Sequence, residues 1–255
     1  MNARLRSSWL SWSGAALAIS AVLVPATTFA QAGAGDGYLF HRPQVSMSLR
    51  LGVARPSETG KLFEFTRDNL MVNKGDFTSF SMGADFDVAV SSRLAVQFGA
   101  TVAQANKLSE DRNFIDNNDL PIEQTTSFRR SPVTLGLKYY LTSPGASLGR
   151  YAWVPNRIAP YVAAGGGLMH YRFRQSGDFV DYQTLDVFNT TLSSSGWSGT
   201  SYVTGGAVIS LSARMGLVTE ARYDRARAPL GTDFQGFDRI DLSGVSVTTG
   251  LHLRF

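Results

Sequence analysis

The amino-acid sequence predicts an all-β fold, a closed antiparallel up-and-down barrel of eight strands that crosses a membrane. Three observations lead to this prediction. Apolar and polar residues alternate along eight segments, the connections between these segments are mostly short and long in turn, and the chain begins with an export signal. Alternation with a period of two is typical of strands whose two faces meet different surroundings. We therefore expect an apolar outer face and a polar interior.

The composition excludes several classes of protein. The 255 residues include no cysteine, so disulfide frameworks, cysteine-bound zinc and a lipid-modified cysteine are excluded. Charged residues make up 17% of the chain, against about 25% in ordinary soluble domains. The mean hydropathy of -0.06 is that of a soluble domain. An average over one apolar and one polar face has the same value, so hydropathy alone does not identify the surroundings of the chain.

Residues 1–32 are typical of a secretory signal peptide, with basic residues first, an apolar stretch over 10–24 and small residues before the cut. The Ala-Gln-Ala sequence at 30–32 matches the usual cleavage pattern. We predict a mature chain that starts at Gly33, with cleavage after Ala30 as the alternative.

The net charge of +4 and the pI near 9.5 suggest an anionic partner such as nucleic acid. Two of the 24 basic residues, Arg4 and Arg6, lie in the predicted signal peptide, and their removal leaves 22 against 20 acidic residues. The net charge of the mature chain is then +2, so we predict no binding to nucleic acid.

Eight segments of the mature chain alternate between apolar and polar residues. In the fifth, Met169, Tyr171 and Phe173 alternate with His170 and Arg172, which places the two charged residues on the predicted inner face. The predicted strands cover residues 45–53, 80–90, 94–103, 133–141, 161–173, 202–211, 217–224 and 245–255.

The connections between the predicted strands differ systematically in length. Short turns follow strands two and six, whereas long segments follow the odd-numbered strands, at 55–76, 104–129, 174–199 and 225–239. Short periplasmic turns opposite long external loops are the pattern of a bacterial outer-membrane barrel, and an even strand number returns both termini to one side. Residues 142–158 break the pattern, and there we expect a longer periplasmic connection with room for a short helix.

The charged residues on the polar faces form a predicted lumen charge network. Eight strands enclose a lumen about wide enough for side chains to fill, and an unpaired charge in such a space costs several kcal/mol. We therefore expect these residues to pair and to plug the interior, with a conducting interior as the alternative. The predicted network consists of Arg50, Asp85, Asp87, Lys138, His170, Arg172, Glu220, Arg222, Asp224 and Arg254.

A second group of basic residues lies near the predicted outer rim. Arginine side chains form forked hydrogen bonds with phosphate, so these residues are candidates for contact with lipopolysaccharide. Ordinary anchoring at the membrane interface is the alternative. The predicted group consists of Arg129, Arg130, Arg174, Arg225 and Arg227.

The last residues of the chain resemble the C-terminal insertion signal that the outer-membrane barrel-assembly machinery recognises. The matching positions are Thr248, Gly250, Leu253 and the final Phe255. The mature chain as a whole resembles the small eight-stranded outer-membrane barrels of the OmpA-like and OmpW-like kind, notably over 157–162 and 237–244. This resemblance implies a fold and a location, but no particular activity, because the architecture hosts adhesins, tethers, small pores and some enzymes.

Neither a catalytic motif nor a cofactor site is predicted. The resemblance includes lipid A deacylases, which carry a histidine two residues before the nucleophilic serine. In this sequence none of the three histidines, His41, His170 and His252, is followed two residues later by a serine. The acidic segment 111–119 lacks the order of an EF-hand, so we predict no metal site there.

The predicted function is that of a non-enzymatic, monomeric outer-membrane barrel with a structural or surface-interaction role through four mobile external loops. Its predicted partners are outer-membrane lipid, lipopolysaccharide and the assembly machinery. The alternative is a narrow channel for small or hydrophobic solutes, with Gly165–Gly167 as a lateral opening.

Overall fold

The computed structural model describes residues 37–115, 120–181, 184 and 186–255. The predicted signal peptide lies outside the described residues, as do positions 116–119 of the acidic segment. The strands are β1 (Val45–Pro56), β2 (Ser79–Ala89), β3 (Leu94–Ile115), β4 (Pro121–Tyr140), β5 (Gly145–Leu148), β6 (Ala152–Pro155), β7 (Ile158–Val180), β8 (Val187–Ser210), β9 (Met215–Pro229), β10 (Arg239–Asp241) and β11 (Gly244–Arg254). Helix α1 spans Lys61–Asn69, and a short 3-10 helix spans Thr232–Phe234.

Eight of the strands form a closed ring. The order around the ring is β1, β2, β3, β4, β7, β8, β9 and β11, and β11 pairs with β1 to complete it. All of these pairings are antiparallel. The predicted fold class, a closed antiparallel barrel of eight strands, is confirmed.

The two ends of the barrel differ. The turns of the β2–β3 and β8–β9 hairpins, the β5–β6 hairpin, the start of β1 and the end of β11 lie at one end, called here the turn end. Helix α1, strand β10 and the tips of the β3–β4 and β7–β8 hairpins lie at the other, called here the loop end. The first strand of the ring, β1, therefore begins at the same end of the barrel at which the last strand, β11, ends.

An apolar band surrounds the outside of the barrel. Along β1, Leu49 and Leu51 are 49% and 51% exposed, whereas Arg50 between them is 2% exposed. The other strands of the ring show the same alternation, with apolar side chains outside over about ten residues per strand, the length that a tilted strand needs to cross a bilayer. Among the described residues, no helix is long and apolar enough to cross a membrane.

Four strands extend far beyond this band. Strands β3, β4, β7 and β8 contain 22, 20, 23 and 24 residues, so most of the segments predicted as loops at 104–129 and 174–199 are in fact strand. The prediction was wrong there because, beyond the apolar band, both faces of these strands meet polar surroundings. The alternation of apolar and polar residues is therefore lost. The cross-strand hydrogen bonds of the ladder continue without it.

Two other connections also differ from the prediction. The segment 55–76 contains helix α1, which was not predicted. Residues 142–158 form the β5–β6 hairpin and no helix. In this hairpin the indole of Trp153 lies against the backbone of Gly145, where a Cβ atom would collide with the ring. The buried Trp153 also pairs with Leu39 through two backbone hydrogen bonds, which holds the hairpin at the turn end.

A cluster of aromatic residues fills the loop end of the lumen. The ring of Phe63 on α1 lies 5.8, 5.5 and 6.0 Å from those of Phe77, Phe128 and Phe173, all in edge-to-face contact. Phe173 in turn contacts Phe234 at 5.4 Å. These five residues, called here the aromatic plug, are almost fully buried.

Candidate functional site

The lumen below the aromatic plug is built around Arg50. Its Nη2 donates to Asp85 Oδ1 at 2.7 Å, its Nε lies 2.6 Å from Asp85 Oδ2, and the guanidinium also pairs with Glu220 on the far side. The hydroxyl of Tyr161 donates to the second oxygen of Glu220 at 2.7 Å. Glycines on both neighbouring strands, Gly83 and Gly250, stand opposite Arg50. A Cβ atom at Gly250 would collide with the backbone of β1, and one at Gly83 would lie 3.5 Å from Arg50 Nη2.

Lys138 and Asp87 form a separate ion pair nearer the turn end. The Lys138 Nζ atom lies 2.8 Å from Asp87 Oδ2 and 4.2 Å from the ring centre of Tyr161. Both members of the pair are buried. The ammonium group therefore has a carboxylate and an aromatic face in place of water.

Arg222 and Asp224 form a third pair, nearer the loop end. Arg222 Nη2 lies 2.8 Å from Asp224 Oδ1, and the guanidinium stacks on the ring of Tyr202 at 3.8 Å. The Tyr202 hydroxyl donates to Gln97 at 3.2 Å. Gly136 faces this hydroxyl, and a Cβ atom there would collide with it.

The turn end of the lumen contains Arg254 and His252. Arg254 donates to Ser210 Oγ at 2.8 Å, and its guanidinium lies 5.9 Å from the ring centre of Trp153. The Nδ1 atom of His252 lies 3.0 Å from Ser48 Oγ. This serine–histidine contact joins residues that are distant in sequence, and both are buried.

Two predicted lumen residues face outward instead. His170 contacts Trp197 on the outer face with a ring separation of 5.0 Å, and Arg172 is exposed. The prediction placed both in the lumen because the glycines of β7 obscured the alternation. The register reverses that assignment: Leu168, His170 and Arg172 share the outer face, while Met169, Tyr171 and Phe173 lie inside.

One predicted rim residue faces inward instead. Arg130 is buried and donates to the backbone carbonyls of Leu242 and Ser243 at 3.0 and 3.3 Å. The correct phase was present in the sequence, since the outward residues Val133 and Leu135 require position 130 to point inward. The prediction missed it because the predicted strand began only at Val133, whereas β4 begins at Pro121. The other four predicted rim arginines, Arg129, Arg174, Arg225 and Arg227, are exposed on the outer face.

The wall of the barrel is continuous at the proposed lateral opening. Gly165 pairs with Gly136 on one side and Tyr202 on the other, and the ladder continues through Gly167. The glycine-rich segment therefore opens no gap in the ring. Inside the barrel, a cavity of about 50 Å³ lies at the turn end and one of about 20 Å³ beside Arg130, sizes that suit one or a few water molecules.

The C-terminal residues complete the ring. Thr248 points inward and Gly250 packs against the backbone of β1, while Leu253 pairs with Met47. The backbone N–H of Phe255 donates to Val45 at 2.9 Å, and its ring is exposed on the outer face.

Strand β10 contains a titratable group outside the band, in contact with the segment between β1 and α1. Asp241 accepts hydrogen bonds from the Thr59 hydroxyl and, at 2.9 Å, from the Ser243 backbone N–H. Partial burial acts to raise the pKa of Asp241, but these hydrogen bonds outweigh it and hold the pKa below its usual value.

No protein-family model and no curated protein matches the chain. Solved structures similar to it are small outer-membrane β-barrel proteins, the class that the sequence resembles. Neisserial surface protein A is 12% identical with a TM-score of 0.44, and the match covers 86% of this chain and 98% of that one. OprG from Pseudomonas aeruginosa is 13% identical with a TM-score of 0.45, covering 85% and 99%. Ail of Yersinia pestis is 12% identical with a TM-score of 0.39, covering 83% and 99%.

Proposed function

We propose that this protein is an integral outer-membrane barrel that neither conducts nor catalyses, and that acts through the part projecting beyond the membrane. One observation carries the proposal. The lumen is filled from the turn end to the loop end by paired charges and then by the aromatic plug, while four strands extend well beyond the apolar band.

The location is supported by the outer surface of the barrel. Lipid-exposed strands must have their backbone groups paired, and a closed ring achieves this. Strands that cross over about ten residues with apolar side chains outside give a band about 25 Å tall. The turn end would then lie in the periplasm, because both ends of the ring and the short turns are there. Export with cleavage after Ala32 belongs to the same proposal, and N-terminal sequencing of the membrane-inserted protein tests it.

The closed lumen is supported by the energetics of the buried pairs. Opening an aqueous path would require separating buried ion pairs such as Arg50–Glu220 or Lys138–Asp87 and displacing the buried rings of the aromatic plug. Spontaneous opening should therefore be rare. Catalysis is disfavoured because Ser48 and His252 are 1% and 2% exposed, and the cavity of about 50 Å³ beside His252 has room for only one or a few water molecules.

Planar-bilayer recording tests the closed lumen. The purified barrel should show no steady single-channel current, whereas a variant with Arg50, Phe63 and Phe128 changed to alanine should show raised conductance. A large, steady current from the unaltered protein would contradict the proposal. A variant with Phe80, Phe86 and Phe98 changed to alanine is a matched control, because these phenylalanines are exposed on the outer face.

The surface role is tested by shortening the projection. Lys107 and Thr126 are partners across the β3–β4 hairpin, so a two-residue turn in place of 108–125 leaves the membrane-spanning parts of both strands and Phe128 of the aromatic plug intact. We expect cells that carry the shortened protein to lose surface binding or resistance to detergent, while the barrel itself is still inserted. Unchanged surface binding and envelope integrity would contradict this role.

The alternative function, a narrow channel for small or hydrophobic solutes, has one observation in its favour. A cavity of about 200 Å³ at the loop end is lined by Phe65, Leu70, Phe179, Phe237 and their neighbours. The aromatic plug includes Phe234, which lines this cavity from below. Liposome swelling with small solutes separates the two functions, since a channel admits the solutes and the proposed closed barrel does not.

A further inference from the structure

Two exposed arginines face each other on the outside of the barrel. Arg129 on β4 and Arg172 on β7 are direct cross-strand partners, and Arg174 lies two residues further along β7. Like charges directly opposite each other in a sheet are destabilising, because their Cβ atoms are about 4.5–5.5 Å apart. A bound anion between them would remove this repulsion.

No acidic side chain neutralises this group within the described part of the chain. The Arg172 and Arg174 side chains form no hydrogen bond or ion pair there, and Arg129 reaches only the Ser131 hydroxyl, at 3.4 Å. Two buried arginines of the lumen, Arg50 and Arg222, contrast with this, since each is paired with a carboxylate. The outer group is therefore a set of guanidinium donors with no acidic acceptor among the described residues.

The surfaces below and above the three arginines differ in polarity. Below them, on the side of the turn end, Val133, Leu135 and Leu168 are exposed and belong to the apolar band. Trp197, which is 59% exposed, makes an edge-to-face contact with His170 at the boundary, where aromatic rings are favoured in a membrane interface.

Above the arginines lies a polar groove of about 460 Å³. It is formed by hydroxyl and amide side chains from four neighbouring strands, with Arg174 at its edge. Small hydroxyl and amide groups of this kind are suited to hydrogen bonding with sugar hydroxyls. The groove is lined by Asn106, Thr125, Ser127, Ser176 and Asn189.

We propose that this sector of the outer rim binds one molecule of lipopolysaccharide. Its acyl chains lie against Val133, Leu135 and Leu168, its phosphates lie between Arg129, Arg172 and Arg174, and its inner sugars lie in the polar groove. The order of apolar, cationic and polar surface along the barrel wall matches the order of acyl chain, phosphate and sugar in this lipid. An ordinary phospholipid lacks the sugars that would fill the groove. The inference rests on the outer-membrane location given in the proposed function.

The test measures binding of fluorescent lipopolysaccharide to the full-length protein in detergent micelles. The variant Arg172→Gln/Arg174→Gln should bind about tenfold more weakly or worse. Arg172→Lys/Arg174→Lys should lose part of the affinity, because lysine keeps the charge without the fork. The control Arg93→Gln/Arg157→Gln removes the same charge from exposed positions at the turn end and should bind like the unaltered protein.

Two further measurements identify the part of the lipid that is recognised. Dephosphorylated lipopolysaccharide should bind the unaltered protein as weakly as the phosphorylated lipid binds the glutamine variant. Inorganic phosphate should not displace the intact lipid. Equal binding of the dephosphorylated lipid, displacement by inorganic phosphate, or an equal loss in the turn-end control would overturn the inference. A conducting lumen would contradict the proposed function without altering these results, so the two failures are distinguishable.

Discussion

Buried charges in this barrel depend on their partners, and Lys138 shows this most directly. It is 1% exposed, and its ammonium group is held by Asp87 and by the face of Tyr161. A buried ion pair contributes little net stability compared with apolar residues of the same size, but either member left alone is strongly destabilising. The lumen charges therefore favour one arrangement of the interior rather than adding much stability.

Single and double variants can distinguish the effect of the Lys138–Asp87 ion pair from the effect of each residue alone. Lys138→Met alone should lower the free energy of unfolding by about 3–5 kcal/mol, because Asp87 is left buried without its partner. The double variant Lys138→Met/Asp87→Leu should recover most of that loss. Urea unfolding of the protein in lipid vesicles measures both. A double variant as unstable as the single one would show that the partner is not the cause.

At the scale of elements, helix α1 packs onto the loop end of the lumen through Leu62 and Phe63, which are both buried. Phe63 contacts three other rings of the aromatic plug, whereas Phe65 on the opposite side of the helix is 44% exposed and contacts Phe237. The helix has nine residues, a length that is marginal on its own in water. Its stability therefore comes from this packing.

Removal of the Phe63 ring should detach the helix from the plug. Phe63→Ala should cost about 3–5 kcal/mol locally, the usual range for a buried phenylalanine, and should make trypsin cleavage after Lys61 and Arg67 faster. Phe65→Ala is the matched control and should change the cleavage rate much less. The membrane-spanning strands should stay protected in both variants. Equal cleavage rates for the two variants would contradict the role given to Phe63.

The contact between β10 and the residues before α1 should depend on pH. The pKa of Asp241 is lower in the folded protein than in the unfolded chain, so its stabilising effect is fully present above the unfolded value, near 3.9. The effect is lost as the pH falls through the lower folded value. We expect hydrogen exchange at the Ser243 amide to accelerate over that range, since protonated Asp241 is a weaker acceptor. Asp241→Asn should exchange faster at neutral pH and lose the dependence, and an unchanged profile would contradict this account.

At the scale of the whole molecule, closure of the ring depends on strands from the two ends of the barrel sequence. Strands β1 and β11 pair over 11 positions, from Ser46 with Arg254 to Pro56 with Gly244. These pairings cannot form until the last strand is available. The folded ring should therefore resist denaturing detergent until it is heated, and should migrate faster on a gel before heating than after it.

The terminal phenylalanine should matter for assembly more than for stability. The Phe255 ring is exposed, while its backbone N–H keeps the bond to Val45 whatever the side chain. Phe255→Ala should slow insertion in cells, measured by the fraction that reaches the heat-modifiable form, and should leave unfolding of the inserted barrel nearly unchanged. Phe86→Ala, another exposed phenylalanine on the outer face, is the control and should insert at the normal rate. Equal insertion of both variants would contradict the role of the C-terminal signal.

Much of the fold and part of the site could be predicted because the apolar band imposes a local pattern. Inside the band, alternation placed Arg50, Asp85, Lys138 and Glu220 on the inner face. In β7, glycines stand where apolar residues would mark one face, so the sequence did not show which residues face inward. His170 and Arg172 were therefore placed on the wrong face. Helix α1 and the aromatic plug were missed because their apolar residues pack across segments, with no period along the chain.

The sequence by itself determined that this chain forms an amphipathic barrel of eight strands, because adjacent residues face lipid and lumen in turn and are therefore apolar and polar in turn. The tertiary structure alone decided which side chains meet. Arg50 and Glu220 are 170 positions apart, and Arg129 faces Arg172 through the register of two strands separated by the β5–β6 hairpin. Register depends on hydrogen bonds around the entire ring, so the closed lumen and the arginine pair on its outer wall follow from closure and not from any single segment.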